Sequence, residues 1–166
     1  MRVLYVAMRY DYGFPERGPS FEHYNFYECL TQMGLQVDYF DFISIMNEVG
    51  KERMNELLFR KVEETKPEVM FTCLFKDEIE PGTLRRITEE TETTTVNWFC
   101  DDHWRFENFS QRYASCFDWV TTTARSALPK YDAMGFSNVI KTQWACNPFI
   151  YHHLGLPLTY DMTFVG

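Results

Sequence analysis

The chain has 166 residues, 45% of them hydrophobic and 24% charged, with a net charge of -8. That length suits one domain with a sizeable core. The acidic balance disfavours a nucleic-acid binder and docking on an anionic membrane. No apolar run approaches the ~20 residues that span a bilayer. The opening MRVLYVAM lacks the longer apolar region and small-residue cleavage site of a signal peptide, so it reads as the first strand of a cytoplasmic protein. The five cysteines (Cys29, Cys73, Cys100, Cys116 and Cys146) are odd in number and show no CxxC spacing, which in a cytosolic chain predicts free thiols.

Val3 to Met8 is a continuous apolar run, the pattern of a parallel strand covered on both faces. The loop that follows, MRYDYGFPERGPS, is long for a βα connection, where ~2–6 residues is usual. Ser20 suits an N-cap. Tyr24, Tyr27, Leu30 and Met33 then recur at helical spacing, and Gly34 suits the C′ position. Leu35, Val37 and Tyr39 alternate with polar residues as a second strand. A helix is predicted over Glu48 to Glu64, ended by Lys66-Pro67, and a third strand over Val69 to Phe75. Pro81 opens a helix that carries Leu84 and Ile87. Strand four is Thr94 to Phe99, and Phe106, Phe109 and Tyr113 mark the next helix. Strand five is Phe117 to Thr122, a helix runs from Ser126 to Gly135, and strand six is Asn138 to Thr142. Gln143 to Tyr160 reads as irregular, and Asp161 to Val165 as one more strand.

This alternation predicts an α/β, Rossmann-like three-layer sandwich with a mainly parallel sheet and helices on both faces. Residues 1–148 form that domain. Residues 149–166 read as a linker and a strand with no partner left, the opening of a second domain.

Open α/β sheets bind ligands outside the carboxyl ends of their strands. WFCDDHW, residues 98–104, falls at such an end. Asp101 or Asp102, half-shielded by Trp98 and Trp104, suits a general base, and so does His103. One of the two aspartates suits a helix cap instead. Cys73, Cys100, Cys146 and His103 share the edge, but their spacing is irregular for zinc and no metal site is assigned. No GxGxxG, GxxxxGK[ST] or GxSxG is present, which disfavours a dinucleotide site, a P-loop and an α/β-hydrolase. Most of the aromatic residues must be core. Tyr10, Tyr12 and Phe14, in the long first loop, are left as surface rings able to stack on a sugar.

RYDYGFPERGPSFEHYNFYECL, WFCDDHWRF and FDWVTTTARSALPKYDAMGFSNVIKTQWACNP resemble the N-terminal half of CgeB-like glycosyltransferases, and YDMTFVG resembles the strand that opens their second domain. The resemblance implies one half of a GT-B architecture: an acceptor-side domain facing a donor domain that holds a nucleotide sugar. It implies no bound metal or other cofactor. It maps Asp101 as the acceptor-activating base, with Asp102 and His103 beside it and Glu22 and His23 as further candidates. Arg17, with Tyr10, Tyr12 and Phe14, completes the expected acceptor-binding set. The chain alone, without a donor domain, is expected to show no transfer. The rival readings are a non-catalytic Rossmann-like binding or regulatory module and a zinc or redox domain built on the edge cysteines.

Overall fold

The computed structural model describes residues 1–157 and 159–164. Its centre is a six-stranded sheet: β1 Arg2–Val6, β2 Gln36–Phe40, β3 Val69–Thr72, β4 Thr94–Phe99, β5 Trp119–Thr122 and β6 Val139–Lys141. The strand order is β2-β1-β3-β4-β5-β6 and every pair is parallel. Parallel neighbours need a crossover between them, and helices supply each one. The expected α/β sandwich is therefore observed, with a wholly parallel sheet.

Successive residues of a strand point to opposite faces. Leu4, Val6, Met70, Phe99 and Val120 pack on one side against α2 Phe42–Val49, α3 Lys51–Thr65 and α4 Pro81–Glu90, and against the later helices. Tyr5, Ala7, Cys73 and Trp98 pack on the other side, against Phe26, Tyr27 and Leu30 of the first helix. The two layers are unequal. The strand order sends only the β1-to-β2 crossover to the second face. Beyond the first helix that face is less covered: Trp119 and Ile140, placed there by the registers Val96↔Trp119 and Thr121↔Ile140, are 40% and 46% exposed.

The first helix begins at residues 21–22, widens into a π turn at His23–Tyr27, and continues as α1 Glu28–Gln32. Ser20 caps it, its Oγ accepting the His23 N–H at 3.1 Å. Gly34, at φ 81°, closes it with the Leu35 N–H bonded to the Leu30 carbonyl, the geometry expected of a C′ glycine.

Two elements differ from the sequence reading. The single helix over Glu48 to Glu64 is two helices, α2 and α3, separated by Gly50 at φ 84°. The start of α2 is hidden in DFISIM, which reads as an apolar, β-branched run. Asp41 decides it, accepting the Ser44 N–H at 3.3 Å as N-cap. Strand three ends at Thr72 rather than Phe75: the Cys73 N–H still bonds the Val6 carbonyl, but the Leu74 N–H turns to the Asn97 side chain. Asp161 to Phe164 pair with no strand, and Val165 lies outside the described residues. All five cysteines are free thiols, and among the described residues no helix is long and apolar enough to cross a membrane.

Candidate functional site

β1 is followed in the chain by β2 on one side of it, while β3 lies on the other. This is the topological switch point, where the crossovers diverge and a crevice opens at the carboxyl ends. A cleft of about 240 Å³ occupies that place. A hollow of about 440 Å³ lies at the opposite rim, lined by Arg2, Lys66 and Glu92. That one is at the amino ends of the strands, where open α/β sheets do not place their sites.

The loop after β1 forms one wall with Met8, Asp11 and Tyr12. Its shape is fixed by short 3-10 turns at Asp11–Gly13 and Pro15–Arg17 and by an antiparallel bridge of Tyr10 with Pro19. Tyr12 holds a left-handed φ of 51°, rare for a bulky residue. Gly13 follows at φ 79°, and a Cβ there would clash with Ile43 Cγ2, so glycine is the residue that fits. Arg17 lies over Tyr12 at 5.5 Å and over Phe14 at 5.0 Å, and pairs with Asp11 at 3.8 Å. The loop thus holds Tyr12 at the cleft, edge-on to Phe75 at 5.7 Å. Tyr10, Phe14 and Arg17 support it from outside the lining.

WFCDDHW divides by residue. Trp98 is buried on the first-helix face and forms the floor with Cys73 and Cys100. Burial pushes the Cys100 thiol up to about 12, with the nearby Asp101 and Glu22 charges adding to it, and burial likewise raises Cys73 well above the ordinary thiol value. Both thiols are therefore protonated at neutral pH and poor nucleophiles. Asp101 sits at the N-cap of α5 Asp102–Arg105, where its carbonyl accepts the Trp104 and Arg105 N–H groups. Its side chain makes no capping bond and lines the cleft instead. Asp102 points the other way and is 1% exposed. Its Oδ1 accepts the Ser110 hydroxyl and its Oδ2 the Tyr131 hydroxyl, the latter at 2.8 Å. So neither aspartate caps through its side chain. His103 is exposed on α5 and outside the cleft lining. Arg105 reaches the cleft while its guanidinium donates to the Phe75 carbonyl at 2.7 Å.

Glu22, on the first turn of the first helix, lines the cleft opposite. Burial raises its pKa, and the Asp11 and Asp101 charges add to that, against hydrogen bonds from its own backbone and Ser20. Its folded pKa exceeds the unfolded value of 4.5, so Glu22 costs stability as pH rises through that interval.

His23, its neighbour, faces away and is buried among Tyr27 and Tyr39 at ring distances of 5.1 and 5.7 Å. Its Nδ1 has no hydrogen-bond partner among the described residues. Burial lowers its pKa below 6.5, aided by Arg9 and opposed by Glu28 and Asp41. The unfolded chain then binds the proton first as pH falls below 6.5, so stability declines on acidification through that window. His23→Phe, which keeps the ring packing, is expected to flatten this slope, measured as melting temperature between about pH 5 and 7.5.

One wall was not anticipated residue by residue. After β6 the chain runs back across the carboxyl edge and is pinned to the first helix by Asn147, which is fully buried. The Asn147 N–H donates to Asn25 Oδ1 at 2.9 Å, and Nδ2 donates to the Tyr24 carbonyl at 2.8 Å. Oδ1 accepts the Phe149 N–H at 3.0 Å. This strap sets Trp144 edge-to-face on Trp98 at 4.8 Å and on Phe21 at 5.4 Å, and so closes the cleft with an indole. The available signal was positional: Gln143 to Pro148 follows a strand at the binding edge.

Among the described residues no group of three or more His, Cys, Asp or Glu side chains converges as metal ligands. The fold and cleft define a doubly wound α/β domain with a small, aromatic-walled and acidic cleft at its switch point. Comparison of the chain with protein-family models, curated proteins and solved structures gives no match.

Proposed function

We propose that this chain is the acceptor-side domain of a glycosyltransferase that uses a nucleotide sugar. The observation that supports it is convergence. The three stretches that resemble the CgeB-like enzymes are far apart in sequence. They nonetheless supply Tyr12, Phe21 and Glu22, then Trp98, Asp101 and Arg105, then Trp144 to one cleft. Aromatic faces beside carboxylates suit a sugar ring, whose C–H face is apolar and whose rim is hydroxylated.

In this reading Asp101 takes the proton from an acceptor hydroxyl. The hydroxyl oxygen bonds to the anomeric carbon of the donor, and the donor's bond to its nucleoside diphosphate breaks, the electron pair leaving with the diphosphate. Trp98 and Trp144 hold the ring in line for attack. Asp102 has no part in that proton transfer, because both its oxygens are engaged beneath the cleft.

Asp101→Ala, in the protein that carries these residues, is expected to lower transfer by about 10²–10⁴-fold. Its melting temperature should stay near wild type, since the side chain makes no capping bond. Turnover is measured with a nucleotide-sugar donor and a panel of acceptor sugars. Wild-type turnover in a folded Asp101→Ala protein removes Asp101 from the mechanism.

A further inference from the structure

The cleft has aromatic walls and acidic polar groups. Phe21, Trp98 and Trp144 meet edge-to-face around it, and Glu22 and Asp101 face into it. Among the described residues no cation lies within ion-pairing distance of either carboxylate. The third acid of the lining, Asp11, is met by Arg17. The single cation of the described lining, Arg105, is committed elsewhere. Its guanidinium donates to the Phe75 carbonyl at 2.7 Å and lies 4.1 Å from the centre of the Phe109 ring.

Three kinds of ligand fare differently here. An anion is repelled by both carboxylates at short range and low dielectric. A neutral ring displaces their remaining water and supplies no charge in return. An ammonium group supplies that charge, while the apolar C–H face of the ring that carries it rests on the indoles. At about 240 Å³ the cleft is below the ~300 Å³ at which pockets for larger ligands begin, so it holds one ring.

We propose, resting on the acceptor reading above, that the cleft takes a sugar bearing a free amine. The ring lies against Trp98 and Trp144, and the ammonium points toward Glu22 and Asp101. The amine sets recognition, and the hydroxyl nearest Asp101 is the nucleophile.

The test is calorimetric titration of the chain with glucosamine, N-acetylglucosamine, glucose and glucose 6-phosphate at neutral pH, with NMR shifts to locate binding. Glucosamine is expected to bind about tenfold more tightly than the acetylated or neutral sugar, with the phosphate weakest. Glu22→Gln should bring glucosamine down to the affinity of glucose. That variant removes a buried charge, so its melting temperature at neutral pH should be at or above wild type. Equal affinity for glucosamine and N-acetylglucosamine overturns the amine proposal and leaves the acceptor reading standing. Tightest binding of the phosphate does the same. Binding of none of the four, or binding away from the cleft, overturns both.

Discussion

Asp102→Ala is expected to destabilise the protein by about 3–5 kcal/mol, read as the shift in urea midpoint at unchanged slope. Asp102, Ser110 and Tyr131 are each 1% exposed. Removing the carboxylate leaves the Ser110 and Tyr131 hydroxyls without their acceptor, at about 1–3 kcal/mol for each buried group left unsatisfied. The loss also frees three elements from each other. Asp102 opens α5, Ser110 ends the π turn Phe106–Ser110, and Tyr131 lies on α6 Leu128–Ala133. Asp102→Asn keeps one carbonyl acceptor and should cost about 1–2 kcal/mol, since only one of the two hydroxyls then keeps a comparable partner. Asp101→Ala, one residue away, should cost little. The contrast within the Asp-Asp pair is the informative result: equal losses at both positions would contradict the division of roles drawn from the geometry.

If the cleft takes a sugar as proposed, Asn147→Ala is expected to weaken that binding by about tenfold or more while leaving the sheet intact. The side chain bonds the Tyr24 carbonyl and the Phe149 amide from a fully buried position. Losing both costs about 2–3 kcal/mol, concentrated in the strap because β6 is otherwise held by its own ladder with β5. Trp144 then loses its fixed place against Trp98 and Phe21. If Asn147 acts through Trp144, the affinity loss from Asn147→Ala should vanish in a Trp144→Ala background, a double-mutant cycle that separates positioning from general damage. Additive losses would mean that Asn147 supports the cleft by another route.

The alternation of apolar strands with 3.6-period helices made the parallel sheet legible, and with it the rule that loops at the carboxyl ends carry the site. Ser20 and Gly34 marked the first helix because caps are local chemistry, complete within a few residues. The start of α2 was less legible, since Ile43, Ile45 and Met46 fit either a strand or a buried helix and only the Asp41 cap separates them. Within the candidate site, Asp101, Tyr12 and Glu22 were nameable from their place after strands one and four. Their separation from Asp102, His23 and His103 was not, because adjacent residues at a helix start face different ways. Trp144 was hidden for another reason. Its anchor joins Asn147 to Asn25 across 122 residues, a pairing that no local pattern encodes.

The two π turns add a constraint of counting. Both interrupt helices that follow a cleft-forming strand, with the Glu28 N–H reaching back to the His23 carbonyl and the Gln111 N–H to the Phe106 carbonyl. A π turn holds one residue more than the α-turn it replaces. Wound as a regular α-helix at the same length, with no π turn at His23–Tyr27, the residues before it would be rotated by about 100° relative to the face packed on the sheet. Phe26 and Leu30 would stay on the sheet, and Glu22 would swing out of the cleft. The aim of Glu22, and likewise of Arg105 before the second turn, therefore depends on the π turn absorbing its extra residue. Removing the extra residue of a π turn should leave that aim in register, whereas an insertion in a regular turn of these helices should turn it away by about 100°.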